Sequence, residues 1–293
     1  MHVILAVEDL AYVYPDGTPA LAGISLALHA GERIAVVGAN GSGKSTFFLN
    51  LNGVHAPTAG RILLGGAPVA RHERNRLRAA VGLVFQDPDC QIVASTVRAE
   101  VSFGPMNLRL PKAEVVTRVE NALRFMELEA FAGRAPHFLS GGEKKRVSIA
   151  DLLAMESEVL MFDEPTASLD PAGTVMMESV LNRLQRPDRT LIVSTHDVDF
   201  AWRWASRVIV FDHGTVIADG DALSVFSSDA VVRKARLRKP VLLEVRNLLG
   251  THGILPAHAP VPHDLEALHE LLCLHTARHP DIQDMVTGKG VEQ

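Results

Sequence analysis

Cysteine is scarce in this chain. Two residues in 293, Cys90 and Cys273, form neither a framework nor a CxxC pair. That excludes a disulfide-stapled scaffold and points to a reducing compartment. Positive charge is not in excess either: 29 Lys and Arg face 34 Asp and Glu, for a formal net charge of −5. A nucleic-acid binder usually shows a basic face, so this balance speaks against one. No run approaches the ~18 apolar residues of a membrane span. The N-terminal MHVILAVEDL meets acidic residues too early for a secretory apolar region. There is no internal repeat, no low-complexity segment and no sustained heptad pattern. What remains is 47% hydrophobic and 22% charged residues, the composition of a soluble globular chain with one large or two modest domains.

The first third alternates apolar runs with turn signals. VILAVEDLAYVY, GISLALHAGERIAVVG and GRILLGGAP predict strands, some antiparallel, with turns at Pro15–Gly17 and Gly65–Gly66. The texture then changes. IAVV (34–37), VGLVF (81–85), VLMF (159–162) and TLIVST (190–195) are short and continuously apolar, as strands buried on both faces of a parallel sheet are. A helix-rich stretch from about Lys112 to Ala154 interrupts them, and VIVFDHGTVIADG (208–220) reads as a closing hairpin. The basic run VVRKARLRKP reads as a solvated helix face. A further helix is expected over 263–279.

Polar groups collect at the ends of the apolar runs. Gly38-Ala39-Asn40-Gly41-Ser42-Gly43-Lys44-Ser45-Thr46 follows IAVV, precedes the helical FFLNLNG and matches GxxxxGK[ST]. Glycines there let backbone N–H groups turn toward phosphates, and the helix start favours the same anion. Lys44 is placed to reach the β and γ phosphates and Ser45 to ligate Mg²⁺. VLMF ends in Asp163-Glu164-Pro165. Asp163 suits the Mg²⁺ shell and Glu164 suits a base that orients water. His196 follows TLIVST, suited to donate to a γ-phosphate oxygen. Gln86 closes VGLVF, suited to contact Mg²⁺ or the attacking water. Such convergence marks a ligand site rather than packing. Separately, Ser140-Gly141-Gly142-Glu143 is a capping box by pattern. Two glycines in a first helical turn cost ~1 kcal/mol each against alanine. A plain cap does not need them; a backbone that must meet an anion does.

Taken together these residues resemble an ATP-binding cassette ATPase. The Walker A loop is GANGSGKST, the Q-loop residue Gln86, the signature LSGGE, the Walker B strand VLMFDE, the D-loop Ser168-Leu169-Asp170 and the switch histidine His196, in family order over residues ~3 to 225. The resemblance implies an α/β fold: a P-loop NTPase core on a mostly parallel sheet, an antiparallel β subdomain and an inserted helical subdomain at about 87–155. The expected domains are a nucleotide-binding domain over 1–228 and a C-terminal extension over 229–293. The resemblance also implies ATP and Mg²⁺, and a head-to-tail homodimer. In that dimer the signature residues Ser140, Gly141 and Gly142 of one chain serve the other chain's ATP, and Asp170 of the D-loop is a further nucleotide-binding residue. Tyr14 would stack on adenine.

The finer resemblance, through YPDGTPAL, LNGVHAPTAG, VGLVFQDPDCQ, STVRAEVSFGPMNLRLP, STHDVDFAWRWASRVIV and RKARLRKP, is to ATPases of energy-coupling-factor importers, nearest the cobalt-importing type. It implies polytopic membrane partners, no nucleic acid, and a place on the cytoplasmic face of the membrane. The sequence departs from that pattern at Cys90, Glu100, Glu143 and Ser206, none a nucleophile, base or Mg²⁺ position. The expected function is the motor of a cobalt or nickel importer. The alternatives are the same motor for a vitamin, or a soluble cassette ATPase. Gln86 to Pro105, with Phe103, is the expected reporter of nucleotide state to the membrane partner. Six of the 13 histidines fall from His252 onward, but the pairs His269/Cys273 and His275/His279 face different sides of a helix, which favours a polar flank over a metal site.

Overall fold

The computed structural model describes residues 2–167, 169–256 and 258–276. The chain opens with β1 (Val3–Val13) and β2 (Pro19–His29), an antiparallel pair. It then enters β3 (Arg33–Val37), whose last four residues are buried. The single apolar run GISLALHAGERIAVVG is therefore divided between two sheets, with the turn at Gly31 (φ +78°) as the break. After β3 come α1 (Lys44–Leu51), β4 (Ala59–Leu64) and the two-residue β5 (Ala67–Pro68). The strand order β2-β1-β4-β5 makes the antiparallel sheet.

α2 (Arg74–Ala80) leads into β6 (Val81–Val84). Three helices follow: α3 (Val97–Asn107), α4 (Lys112–Phe125) and α5 (Gly141–Met155). They pack on one another, with Val101, Val119, Leu123 and Val147 buried between them. The core then resumes as β7 (Val159–Asp163), α6 (Pro171–Leu184), β8 (Thr190–Thr195), α7 (Val198–Trp204), β9 (Arg207–Asp212) and β10 (Thr215–Gly220). The second sheet has the order β10-β9-β3-β8-β7-β6, parallel except for the β9–β10 hairpin. β3, β7 and β8 are interior, which explains their unbroken apolar texture.

Register decides where the polar groups emerge. Val37 pairs with Thr195, Asp163 with Ser194, and Val84 with Phe162. The strands therefore end level. Their successor loops all arrive at a single edge, where ligands of open parallel sheets bind.

α8 (Ala222–Ser227) and α9 (Asp229–Lys234) follow the hairpin. The basic run is not one helix face. α9 stops at Lys234, Arg236 turns left-handed (φ +56°), and Arg238 and Lys239 pair with Asp199 and Asp229. α10 (Val241–Thr251) and α11 (Leu265–Thr276) complete the described chain around a small cluster of Leu255, Ala259 and Leu271. The expected helix over 263–279 is present to Thr276; the rest lies outside the described residues. This C-terminal stretch is fastened to α7. Asp199 accepts from the Val241 N–H (2.6 Å) and from Arg238 (2.8 Å). The buried Trp202 indole N–H donates to the Pro262 carbonyl (2.9 Å), and the His263 ring stacks on the indole at 4.8 Å. Among the described residues no helix is long and apolar enough to cross a membrane.

Candidate nucleotide site

The site is built where β3 gives way to α1. Gly38 (φ +151°) leaves the strand in a conformation closed to side chains, and a Cβ there would sit 2.3 Å from the Phe211 carbonyl. Gly43 (φ +106°) precedes α1, and its Cβ would press on the Ala20 carbonyl at 2.9 Å. The loop thus runs tight against β2 and β9, and only glycine fits at these two points. It curls around Lys44, whose ammonium donates to the carbonyls of Gly38 (2.8 Å) and Ala39 (3.1 Å). Burial lowers the Lys44 pKa, against the pull of the Glu164 and Asp163 carboxylates.

A cavity of about 720 Å³ opens on this loop. Its wall takes in Tyr14, Asn40, Gly41, Ser42, Gly43, Lys44, Ser45, Thr46, Gln86, Asp163, Glu164 and His196. Every polar group expected at the strand ends is there. Gly38 is not on this wall; it serves the loop from behind, through its carbonyl and its turn. The hydroxyl of Ser42 is buried without a hydrogen-bond partner among the described residues. An orphan donor beside a desolvated ammonium at a helix start is what a polyphosphate would satisfy. Ser45, Asp163 and Gln86 bring hydroxyl, carboxylate and amide oxygens to the same wall, hard donors that fit Mg²⁺.

The acidic pair is more tightly organised than its sequence suggests. Ser194, opposite Asp163 in register, donates its hydroxyl to the Asp163 carboxylate and accepts from the Glu164 N–H (3.0 Å). Glu164 itself is left-handed (φ +46°), uncommon for a residue with a Cβ. Its carboxylate is met by His196, with Nδ1 donating to Oε2 at 2.8 Å. The imidazole is 71% exposed and the carboxylate 11%, so the histidine covers an otherwise buried carboxylate. Tyr14 reaches the loop directly, its hydroxyl 2.8 Å from Thr46 Oγ1, and Tyr12 and His55 pack edge-on to its ring.

Ser140, Gly141, Gly142 and Asp170 lie outside this cavity. The capping box at α5 is complete: the Ser140 N–H donates to Glu143 (2.7 Å) and the Glu143 N–H to Ser140 Oγ (3.3 Å). Open space surrounds the missing Cβ positions of Gly141 and Gly142. Asp170 caps α6 by accepting from the Gly173 N–H (2.7 Å). Ser168 is outside the described residues.

Three polar residues, two of them buried and one half-buried, add to the expected set. Ser194 is visible in the sequence as the hydroxyl within TLIVST. Lys145 is 2% exposed and donates to the carbonyls of Phe85 (3.0 Å) and Gln86 (2.7 Å). Burial lowers its pKa to about 8, against Asp163 and Asp87. Asp151 lies in a second cavity of about 530 Å³ between α2 and β6 on one side and α3 and α5 on the other, with Phe103, Leu152 and Met155. Its Oδ1 has no partner among the described residues. Burial, then Glu100, pushes its carboxyl up to about 7. On α11, Cys273 Sγ lies 3.6 Å from His269 Nε2. Among the described residues no group of three or more His, Cys, Asp and Glu gathers to hold a metal.

Fold and site together define a phosphate-loop nucleoside triphosphatase. The ABC transporter family matches residues 21–167. An energy-coupling factor transporter ATP-binding protein, EcfA2 of Methanospirillum hungatei, is 46% identical over 87% of this chain, which spans 64% of that relative's length. The cobalt import ATP-binding protein CbiO of Rhodobacter capsulatus is 47% identical over 84% of this chain and 88% of its own. Among solved structures, CbiO1 of Clostridium perfringens, described as part of an ABC transporter complex, superimposes with a TM-score of 0.70 at 42% identity, covering 85% of this chain and 99% of that one. A dimeric ATP-binding cassette in a post-hydrolysis state with ADP and phosphate gives 0.66 at 28% identity, covering 75% and 99%. The chain belongs to the ABC transporter ATPases, among the ATP-binding proteins of energy-coupling factor type.

Proposed function

We propose that this protein is the ATP-hydrolysing motor of an energy-coupling-factor importer, working as a head-to-tail homodimer against polytopic membrane subunits on the cytoplasmic face of the membrane, with cobalt or nickel as cargo. The observation that carries the chemistry is the cavity shared by Lys44, Asp163, Glu164, Gln86 and His196. Residues 40–46, with Lys44, hold the triphosphate. Ser45, Asp163 and Gln86 would hold Mg²⁺, which would neutralise phosphate charge. Glu164 orients the attacking water, and His196 governs access to that carboxylate and donates toward the γ-phosphate. Tyr14 faces the adenine. The exposed, capped and side-chain-free start of α5 is ready for an anion, yet lies outside this chain's own cavity. That favours Ser140, Gly141 and Gly142, with Asp170, serving a second copy's ATP.

The groove holding Asp151 suits a membrane subunit. Phe103, 54% exposed, supplies an apolar wall, and one oxygen of the Asp151 carboxyl has no hydrogen-bond partner among the described residues. Cargo rests on similarity to a cobalt import ATP-binding protein, and a vitamin importer is the second reading. The test is copurification of the assembled complex followed by uptake of labelled metal. Uptake of Co²⁺ or Ni²⁺ that depends on Glu164 supports the reading. A complex that forms and accumulates a vitamin instead overturns the cargo.

A further inference from the structure

Lys145 is an expensive residue to bury. It sits one turn into α5 and pairs with no carboxylate among the described residues; its ammonium is spent on two carbonyls just past the end of β6. β6 is the edge of its sheet, and its ladder to β7 stops at Val84. The carbonyls of Phe85 and Gln86 therefore have no strand to pair with, and α5 provides their donor. The same helix reaches the same segment twice more. Lys144 pairs with Asp89 (2.7 Å), and the Gln91 amide donates to the Ser148 carbonyl (3.4 Å). The Lys144 pair is half in solvent and adds little. The buried Lys145 fixes the backbone of Gln86, whose side chain stands on the wall of the nucleotide cavity. Thus one end of α5 is the anion-ready start at Ser140, and one turn later the helix grips this chain's own Gln86.

We infer that Lys145 is a positioning residue that carries the placement of α5 to Gln86, so that seating α5 on one ATP sets the geometry of the other site. The inference rests on the shared-site dimer proposed above. A packed interior transmits such a shift because it rearranges rather than deforms. Neither end requires Lys145 to touch nucleotide.

The test uses the full chain with Lys145→Met, which keeps length and apolar volume but removes the donors, and Lys145→Arg, which keeps a cation with donors. Turnover, its cooperativity in ATP, direct ATP binding and thermal unfolding are read for each. The expected result for Lys145→Met is kcat lower by about tenfold or more and loss of cooperativity. Its KM and ATP affinity should stay within about threefold, and Lys145→Arg should recover most of kcat. Wild-type kcat and cooperativity in Lys145→Met would overturn the inference. So would a parallel loss of ATP affinity and thermal stability in both variants, the mark of packing alone. ATP-driven dimerisation is followed in a Glu164→Gln background. A chain that stays monomeric there refutes the shared site itself. A chain that dimerises while Lys145→Met turns over like wild type refutes only the coupling.

Discussion

Asp151 gives the sharpest stability prediction. Its carboxyl titrates near 7 in the fold against 3.8 in a free chain, because burial and the neighbouring Glu100 both disfavour the anion. Between those values the folded state holds a proton that the unfolded state has released. Unfolding therefore becomes easier as pH rises through the window, and the full penalty applies above about 7. The distance between 3.8 and about 7 corresponds to ~4 kcal/mol at most. Roughly a third of that is already felt near pH 5, so the part that appears between about pH 5 and about pH 8 is ~2–3 kcal/mol. Asp151→Asn keeps the shape and cannot ionise. Urea melts of the two proteins across that range should diverge, with the variant gaining ~2–3 kcal/mol on wild type toward alkaline pH. Parallel curves, with a gap independent of pH, would show that Asp151 does not carry the proton and that the groove is better solvated than its burial implies.

The remaining predictions concern the site. Glu164→Gln should abolish turnover while ATP stays bound, whereas Lys44→Ala should weaken nucleotide binding itself; filter binding alongside phosphate release separates them, and near wild-type hydrolysis by Glu164→Gln would sink its role. Phe103→Asp should leave soluble ATPase activity and the thermal transition intact while complex assembly or uptake falls; a collapsed transition would assign Phe103 to packing instead. A heterodimer of Lys44→Ala with Ser140→Arg should retain ATP at one intact site, because a shared-site arrangement places both lesions in the other. Retention no higher than in the mutant homodimers would show that the signature serves no partner.

The site was legible where chemistry is local in sequence. The phosphate loop, the Asp163-Glu164 pair at the end of a buried run, and the Ser140–Glu143 box each declare themselves within a few residues. Even the convergence of Gln86, Asp163 and His196 followed from four apolar runs ending in polar residues, since parallel strands end level. The hidden part depends on register between distant segments. Ser194 matters because β8 sets it opposite Asp163. The bond from His196 to Glu164 needs two adjacent strands and a left-handed glutamate. Lys145 carries no signal in the sequence until α5 is laid against the end of β6. The basic run at 231–240 misled for the same reason: composition suggested one solvated face, but Arg236 breaks the helix and the cations beyond it are claimed by acids elsewhere.

The fastening of α7 bears on how the chain can be shortened. By family likeness the cassette closes before residue 229, and a cut there looks like the removal of an appendage. The packing says otherwise. Such a cut would strip the Trp202 indole of its carbonyl acceptor and its stacked imidazole, and would leave Asp199 without the two donors that hold it. A buried N–H without an acceptor is penalised by about 1–3 kcal/mol before any lost apolar cover is counted. The helix so exposed begins two residues after the histidine bonded to the Glu164 carboxylate. A minimal cassette made at the sequence boundary would thus be a wounded enzyme, with the wound one helical turn from its candidate nucleotide site.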